Sequence, residues 1–103
     1  MVKTRNRIIS DKVIREFLLK HPTAKHVFER WLFDAKRGIF KNFDDLQKTF
    51  RAPDKAGKNI VFNIGGNKYR LVADIRMTEN RAIFYILFVG THKAYDQIKA
   101  EEL

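Results

Sequence analysis

The sequence predicts an α+β fold in which N-terminal helices pack on one side of a small antiparallel β-sheet. Three observations predict it. Apolar residues recur at helical spacing in the first half, as Val13, Ile14, Phe17 and Leu18 and again as Ala24, Val27, Phe28, Trp31, Leu32 and Ala35. Three β-rich runs follow one another in the second half with only turn residues between them. A strand, then two or three helices, then an antiparallel meander is the element order that results.

Val2 to Ile9 is a strand candidate, with Ile8 and Ile9 as its apolar residues and basic side chains that suit a sheet edge. Ser10 is positioned as the N-cap of the first helix, with Asp11 in the favoured first turn. Pro22 ends that helix, because it lacks an N–H and disfavours the α region at His21. Thr23 caps the second helix, whose last turn holds Lys36 and Arg37 before Gly38 stops it. Asn42 caps a short third helix that turns Phe43, Leu46 and Phe50 inward. Arg51 to Asn59 reads as a loop broken by Pro53 and Gly57.

Ile60 to Ile64 then leads into the hairpin turn Gly65-Gly66-Asn67, whose residues tolerate positive φ. Lys68 to Arg76 follows, with Tyr69, Leu71, Ala73 and Ile75 on one face and Lys68, Arg70, Val72, Asp74 and Arg76 on the other. Thr78-Glu79-Asn80 turns the chain into Arg81 to Val89. That last run shows no alternation, which predicts a central strand buried on both faces.

With 103 residues the chain is one domain's length. Hydrophobic residues make up 45% and aromatics 13%, enough for a packed core and against disorder. The formal net charge of +9 favours a polyanionic partner, or else serves solubility alone. Tyrosine, phenylalanine and asparagine mixed among the cations favour nucleic acid, since they can stack on and hydrogen-bond to bases. There is no cysteine, so disulfides and thiolate metal sites are excluded. No signal-peptide core opens the chain, and the longest apolar run, 82–89, is far below the roughly 20 residues of a membrane helix. A soluble cytoplasmic protein is expected.

The chemistry concentrates in Gly90-Thr91-His92-Lys93-Ala94-Tyr95-Asp96, just where the last strand must end. A rigid strand that delivers a histidine, a lysine, a tyrosine and an aspartate to a sheet edge can hold a catalytic site in place. The bland alternatives are a His92 that caps a strand end and a Tyr95 that packs its ring on the edge. If the tail is helical, Thr91 is its N-cap and His92 and Tyr95 lie three apart on one face. His21 and His26 flank the helix junction in solvated or capping roles. Gly65-Gly66 is a turn and not a phosphate cradle, because no Lys-Ser/Thr follows it. No clustered metal ligands and no cofactor motif occur, so neither a metal nor a cofactor is expected.

Val61-Phe62-Asn63-Ile64-Gly65-Gly66-Asn67-Lys68-Tyr69-Arg70-Leu71-Val72 resembles the central hairpin of HigB-type toxins, and Phe88 to Ile98 resembles their C-terminal signature. Lys20-His21-Pro22 and Lys41-Asn42 fit the same pattern, so the resemblance covers nearly the whole chain. It implies a RelE-like fold and a metal-independent endoribonuclease that cuts mRNA, in many members on translating ribosomes. It also implies neutralisation by a HigA-like helix-turn-helix antitoxin, with operator DNA bound only through that complex. Many RelE-like nucleases spread more lysines and arginines over the site. Here His92 and Tyr95 are more prominent. ParE-like relatives share the fold and act on gyrase, so a protein target, or a basic RNA-binding module without chemistry, stands as the alternative.

Cleavage of this kind needs a base for the 2′-hydroxyl, an acid for the leaving 5′-oxygen and a cation for the phosphorane. The resemblance makes His92 the base or acid, and Tyr95 the other if nearby cations lower its pKa. Arg70 then grips the phosphate bidentately and Lys93 adds a point charge. Arg70 has a structural alternative in an ion pair with Asp74, and Asp96 reads as a structural acceptor. Arg37, Lys41, Lys58 and Lys68 are the candidates for holding RNA, with Tyr69 added if its ring faces outward.

Overall fold

The computed structural model describes residues 5–103 and contains one five-stranded sheet with strand order β1-β5-β4-β3-β2. The strands are β1 (Arg7–Ile9), β2 (Asp54–Ala56), β3 (Asn59–Ile64), β4 (Tyr69–Met77) and β5 (Ala82–Thr91). The helices are α1 (Lys12–Lys20), α2 (Lys25–Arg37), α3 (Phe43–Thr49) and the single turn α4 (His92–Tyr95). The expected α+β architecture is what the chain adopts. Among the described residues the β1–β5 pairing is parallel and the other three are antiparallel. Val2 to Thr4, part of the expected first strand, lie outside the described residues.

The segment read as a loop contains β2, which pairs with β3 through Asp54 and Val61, Lys55 and Ile60, and Ala56 and Asn59. Asp, Lys and Ala are poor strand formers, so only the backbone ladder to β3 makes this an edge strand. β5 is an interior strand, but it is not buried on both faces. Tyr85 and Leu87 are 36% and 37% exposed on the side away from the helices. A bulge between Val72 and Ala73 leaves Leu87 without an opposite residue on β4.

Two caps differ from expectation. Ser10 adopts a φ of 67° and lies one residue too early, with Asp11 at the cap and no side-chain bond there. Thr23 falls inside a 3₁₀ turn, Pro22–Ala24, that leads directly into α2. Asn42 behaves as expected, its side-chain oxygen accepting from the Asp45 N–H at 3.0 Å.

The α2 stripe buries Phe28, Trp31 and Ala35 against β3, β4 and β5. Trp31 and Phe50 meet Phe62 with ring centroids 5.2 and 5.0 Å apart, both edge-on. The outer face of the sheet is half covered by the chain's own tail. Val61, Val72 and Ala100 are buried there, with Ala56, Phe88 and Tyr95 packed around them. Asn59, fully buried in β3, fastens that tail by donating to the Ala100 carbonyl at 2.8 Å and the Leu103 carbonyl at 3.2 Å. The face on which the sequence places Lys68, Arg70, Asp74 and Arg76 is therefore apolar around Val72.

Candidate active site

The site forms where β4 begins and β5 ends. Register places Arg70 opposite Asn63 on one side and Gly90 on the other. Alternation turns Arg70 to the outer face with Val72, and Tyr69 to the helix face with Leu71. Gly65 and Gly66 hold the preceding turn at φ of 66° and 71°, which brings Asn67 back beneath Arg70.

Arg70 is only 8% exposed. Its guanidinium donates to Asn67 Oδ1 at 2.6 Å and to the Tyr69 and Asn67 carbonyls at 3.1 and 3.3 Å. No carboxylate pairs with it among the described residues. Asp74, the alternative partner, meets Arg76 at 3.6 Å and Lys58 at 4.0 Å instead. Four residues along a strand span about 13 Å, too far for the alternative Arg70–Asp74 pair. A buried guanidinium bound only by neutral acceptors attracts an anion.

Tyr95 and Arg70 face one cleft of about 540 Å³, shared with Gln47, Asp54 and Asn63. Gly90 makes room for this wall, since a Cβ there would sit 2.6 Å from the Phe88 ring. Phe88 lies over that gap with its ring 6.4 Å from that of Tyr95. Burial raises the Tyr95 phenol above its ordinary value of 10.0, and Asp54, Glu101 and Asp96 push the same way while Arg70 opposes them. The lowering by neighbouring cations that was the condition for Tyr95 to act as acid or base does not occur, because the phenol is partly desolvated and three carboxylates act on it. Tyr95 therefore keeps its proton at neutral pH and has an O–H to donate.

An alkaline titration checks this. The absorbance difference between wild type and Tyr95→Phe should show Tyr95 ionising above pH 10.0, and Asp54→Asn should bring that ionisation down. The raised folded value also stabilises the fold below the unfolded phenol's pKa, and that contribution is lost as pH rises through the folded value. Ionisation of Tyr95 below pH 10 contradicts the assignment of it as a proton donor.

Thr91 caps α4, its hydroxyl accepting from the Ala94 N–H at 3.1 Å. The His92 N–H donates to the Lys68 carbonyl at 2.9 Å, which ties α4 to the β3–β4 turn. His92 Nδ1 lies 3.1 Å from Asp96 Oδ2. Both side chains are about half exposed, so this is a surface contact within one turn of helix. His92 and Lys93 stand on the same turn as Tyr95 but do not line its cleft. Lys93 is exposed.

The wider RNA candidates are dispersed. Lys68 is exposed in the β3–β4 turn, and Lys58 is exposed beside Asp74. Lys41 is exposed ahead of α3, where its N–H donates to Asp45 Oδ2 at 2.8 Å. Arg37 lies on α2 with its guanidinium 4.0 Å over the Phe33 ring. Tyr69 packs edge-on to Phe17, centroids 5.7 Å apart, and 5.6 Å from Phe28. Its ring belongs to the core, and a base-stacking role does not fit that placement. His21 is the C-cap of α1, and its ring stacks on Phe17 at 4.3 Å.

Asn63, Gln47 and Asp54, which line the cleft, and Asn67, which holds Arg70, were not singled out from sequence. The one available signal was Asn63, a polar residue on the same face of β3 as Val61. Among the described residues no three His, Asp or Glu side chains gather to ligate a metal. No described helix is long and apolar enough to cross a membrane.

Residues 24–98 match the model of the HigB_toxin family, described as the RelE-like toxic component of a toxin–antitoxin system. The chain is 32% identical over 92 residues to the mRNA interferase toxin HigB of Escherichia coli K12, covering 86% of each chain. The same identity and coverage hold for the mRNA interferase HigB of Escherichia coli O157:H7 and that of Shigella flexneri. Both the length of the family match and the identity to these relatives place the chain in the HigB family of RelE-like toxins.

Proposed function

We propose that this protein is an mRNA interferase, an endoribonuclease that arrests growth by cutting mRNA, with translating ribosomes as its working site. The observation that supports this reading best is the buried Arg70 guanidinium, bound by neutral acceptors and facing the same cleft as a protonated Tyr95. The relatives' names, mRNA interferase, point the same way.

In this reading Arg70 holds the scissile phosphate. His92, beside Asp96, takes the 2′-hydroxyl proton. The 2′-oxygen attacks phosphorus and the bond to the 5′-oxygen breaks. Tyr95 supplies the proton or hydrogen bond that the leaving oxygen needs, and Lys93 adds positive charge. The steps require no metal, and DNA, lacking the 2′-hydroxyl, is refractory. His92 stands outside the cleft, so this mechanism needs substrate to span the rim between α4 and Arg70.

Induced expression with mapping of mRNA 5′ ends tests the reading. Wild type should create new ends inside reading frames, and a folded His92→Ala protein should lower their yield about 10²-fold or more. Wild-type toxicity in that variant removes His92 from the mechanism. Arrest without new ends rejects the nuclease and directs attention to a protein target such as gyrase. A HigA-like antitoxin with an acidic or apolar surface would neutralise by covering the cleft; a purified complex that still cleaves mRNA overturns that.

A further inference from the structure

On the outer face of β3 the residues are Asn59, Val61 and Asn63. The tail covers the first two and stops short of the third. Asn59 is fully buried and Val61 is 5% exposed, whereas Asn63 is exposed. Its side-chain amide has no hydrogen-bond partner among the described residues. Asparagine is also a poor strand former. A free amide in the middle of a ladder, directly opposite Arg70, has no structural task to perform there.

Asn63 lines three contiguous hollows. The first is the cleft that holds Arg70 and Tyr95. The second, about 510 Å³, lies between Arg51-Ala52 and Gly66-Asn67. The third continues past Gly65 to Trp31 and Phe50. Ala52, which forms part of the wall, holds a φ of 48°, a conformation that a non-glycine residue rarely adopts without cause. Trp31 at the deep end is 5% exposed, and its Nε1–H is buried without an acceptor. The groove thus runs from Arg70 and Asp54, past the Asn63 amide and Arg51, to Trp31 and Phe50 with the Arg30–Asp34 ion pair beside them.

A phosphate selects cations, and an amide does not compete with Arg70 for one. An amide instead presents a donor and an acceptor side by side, which matches the edge of a nucleobase. We infer that Asn63 and the groove between Arg51-Ala52 and Gly66-Asn67 form a subsite that reads one nucleobase beside the scissile phosphate. Asn63 is then a specificity-determining residue, distinct from the groups that move protons. The inference rests on the nuclease reading above.

The experiment is 5′-end mapping after induction of wild type, Asn63→Ala and Asn63→Asp, with each protein's fold checked by circular dichroism and urea unfolding. Asn63→Ala should keep cutting mRNA while base preference at one position next to the cut flattens by roughly tenfold. Asn63→Asp replaces the donor with an acceptor and should shift that preference towards bases that present a donor. Unchanged site preferences in both variants overturn the subsite while leaving the nuclease intact. Complete loss of cutting in folded Asn63→Ala also overturns it, by assigning Asn63 to the reaction itself. Wild type without new ends removes the nuclease reading, and the subsite with it.

Discussion

Arg70→Ala should lower mRNA cleavage by about 10²- to 10³-fold, the range seen when a preorganised donor to a developing oxyanion is removed. The expectation follows from how Arg70 is held. Asn67 and the Tyr69 carbonyl fix its plane, and no carboxylate consumes its charge among the described residues. Such a group meets a phosphate without reorganising. Arg70→Lys tests the geometry separately from the charge, since lysine offers a point cation in place of a planar fork. It should recover only a minor part of the lost rate. Arg70→Ala should not unfold the protein, because removing a buried cation with no acid partner also removes its desolvation penalty. Urea unfolding run beside the end mapping keeps the two effects apart. Cleavage at the wild-type rate by Arg70→Ala would remove Arg70 from the reaction.

Much of the scaffold was legible because local chemistry decided it. The α2 stripe from Ala24 to Ala35 has one period and one solution, and Asn42 and Thr91 sit one residue before short helices that they cap. The Gly65-Gly66 pair announces a turn that few other residues can make. What escaped was decided by distant partners. Asp54-Lys55-Ala56 shows no strand pattern, and only the edge of β3 makes it a strand. The parallel docking of β1 on β5 joins the two ends of the chain and leaves no local trace. Tyr85 and Leu87 looked like core because an apolar run does not say how many of its faces are covered.

The site divides along the same line. Its residues could be picked from the Gly90–Asp96 stretch and the β4 cation, but their environments could not. Tyr95 has its pKa raised by burial under the tail and by Asp54, which reaches it only through the missed β2. Arg70 is buried because the hairpin folds Asn67 onto it, which no charge count reveals. Sequence reasoning thus named the candidate groups, and the condition it set for Tyr95, a pKa lowered by neighbouring cations, is not met.

The largest loss of stability is expected away from the site, at Asn6. This residue is 5% exposed and all three of its amide bonds are long-range. Its Nδ2 donates to the carbonyls of Ala35 and Gly38, both at 2.8 Å, at the end of α2. Its Oδ1 accepts from the buried Ala82 N–H at 2.8 Å, where β5 starts. One side chain thus joins β1, α2 and β5, the elements whose pairing no local pattern dictates. Asn6→Ala strands two carbonyls and one N–H, so a destabilisation of roughly 2–4 kcal/mol is expected. For a chain of this size that corresponds to a Tm lower by about 10–25 °C. Asn6→Asp should be no better, because it keeps the acceptor for Ala82 but turns a negative charge towards two carbonyl oxygens. Exposed Asn63, by contrast, should change stability by only about 0.5 kcal/mol on truncation. A urea midpoint for Asn6→Ala equal to wild type would mean that the β1–α2–β5 junction is held by packing alone. A large drop would show that this buried amide specifies the parallel pairing on which the position of β5, and so of His92 and Tyr95, depends.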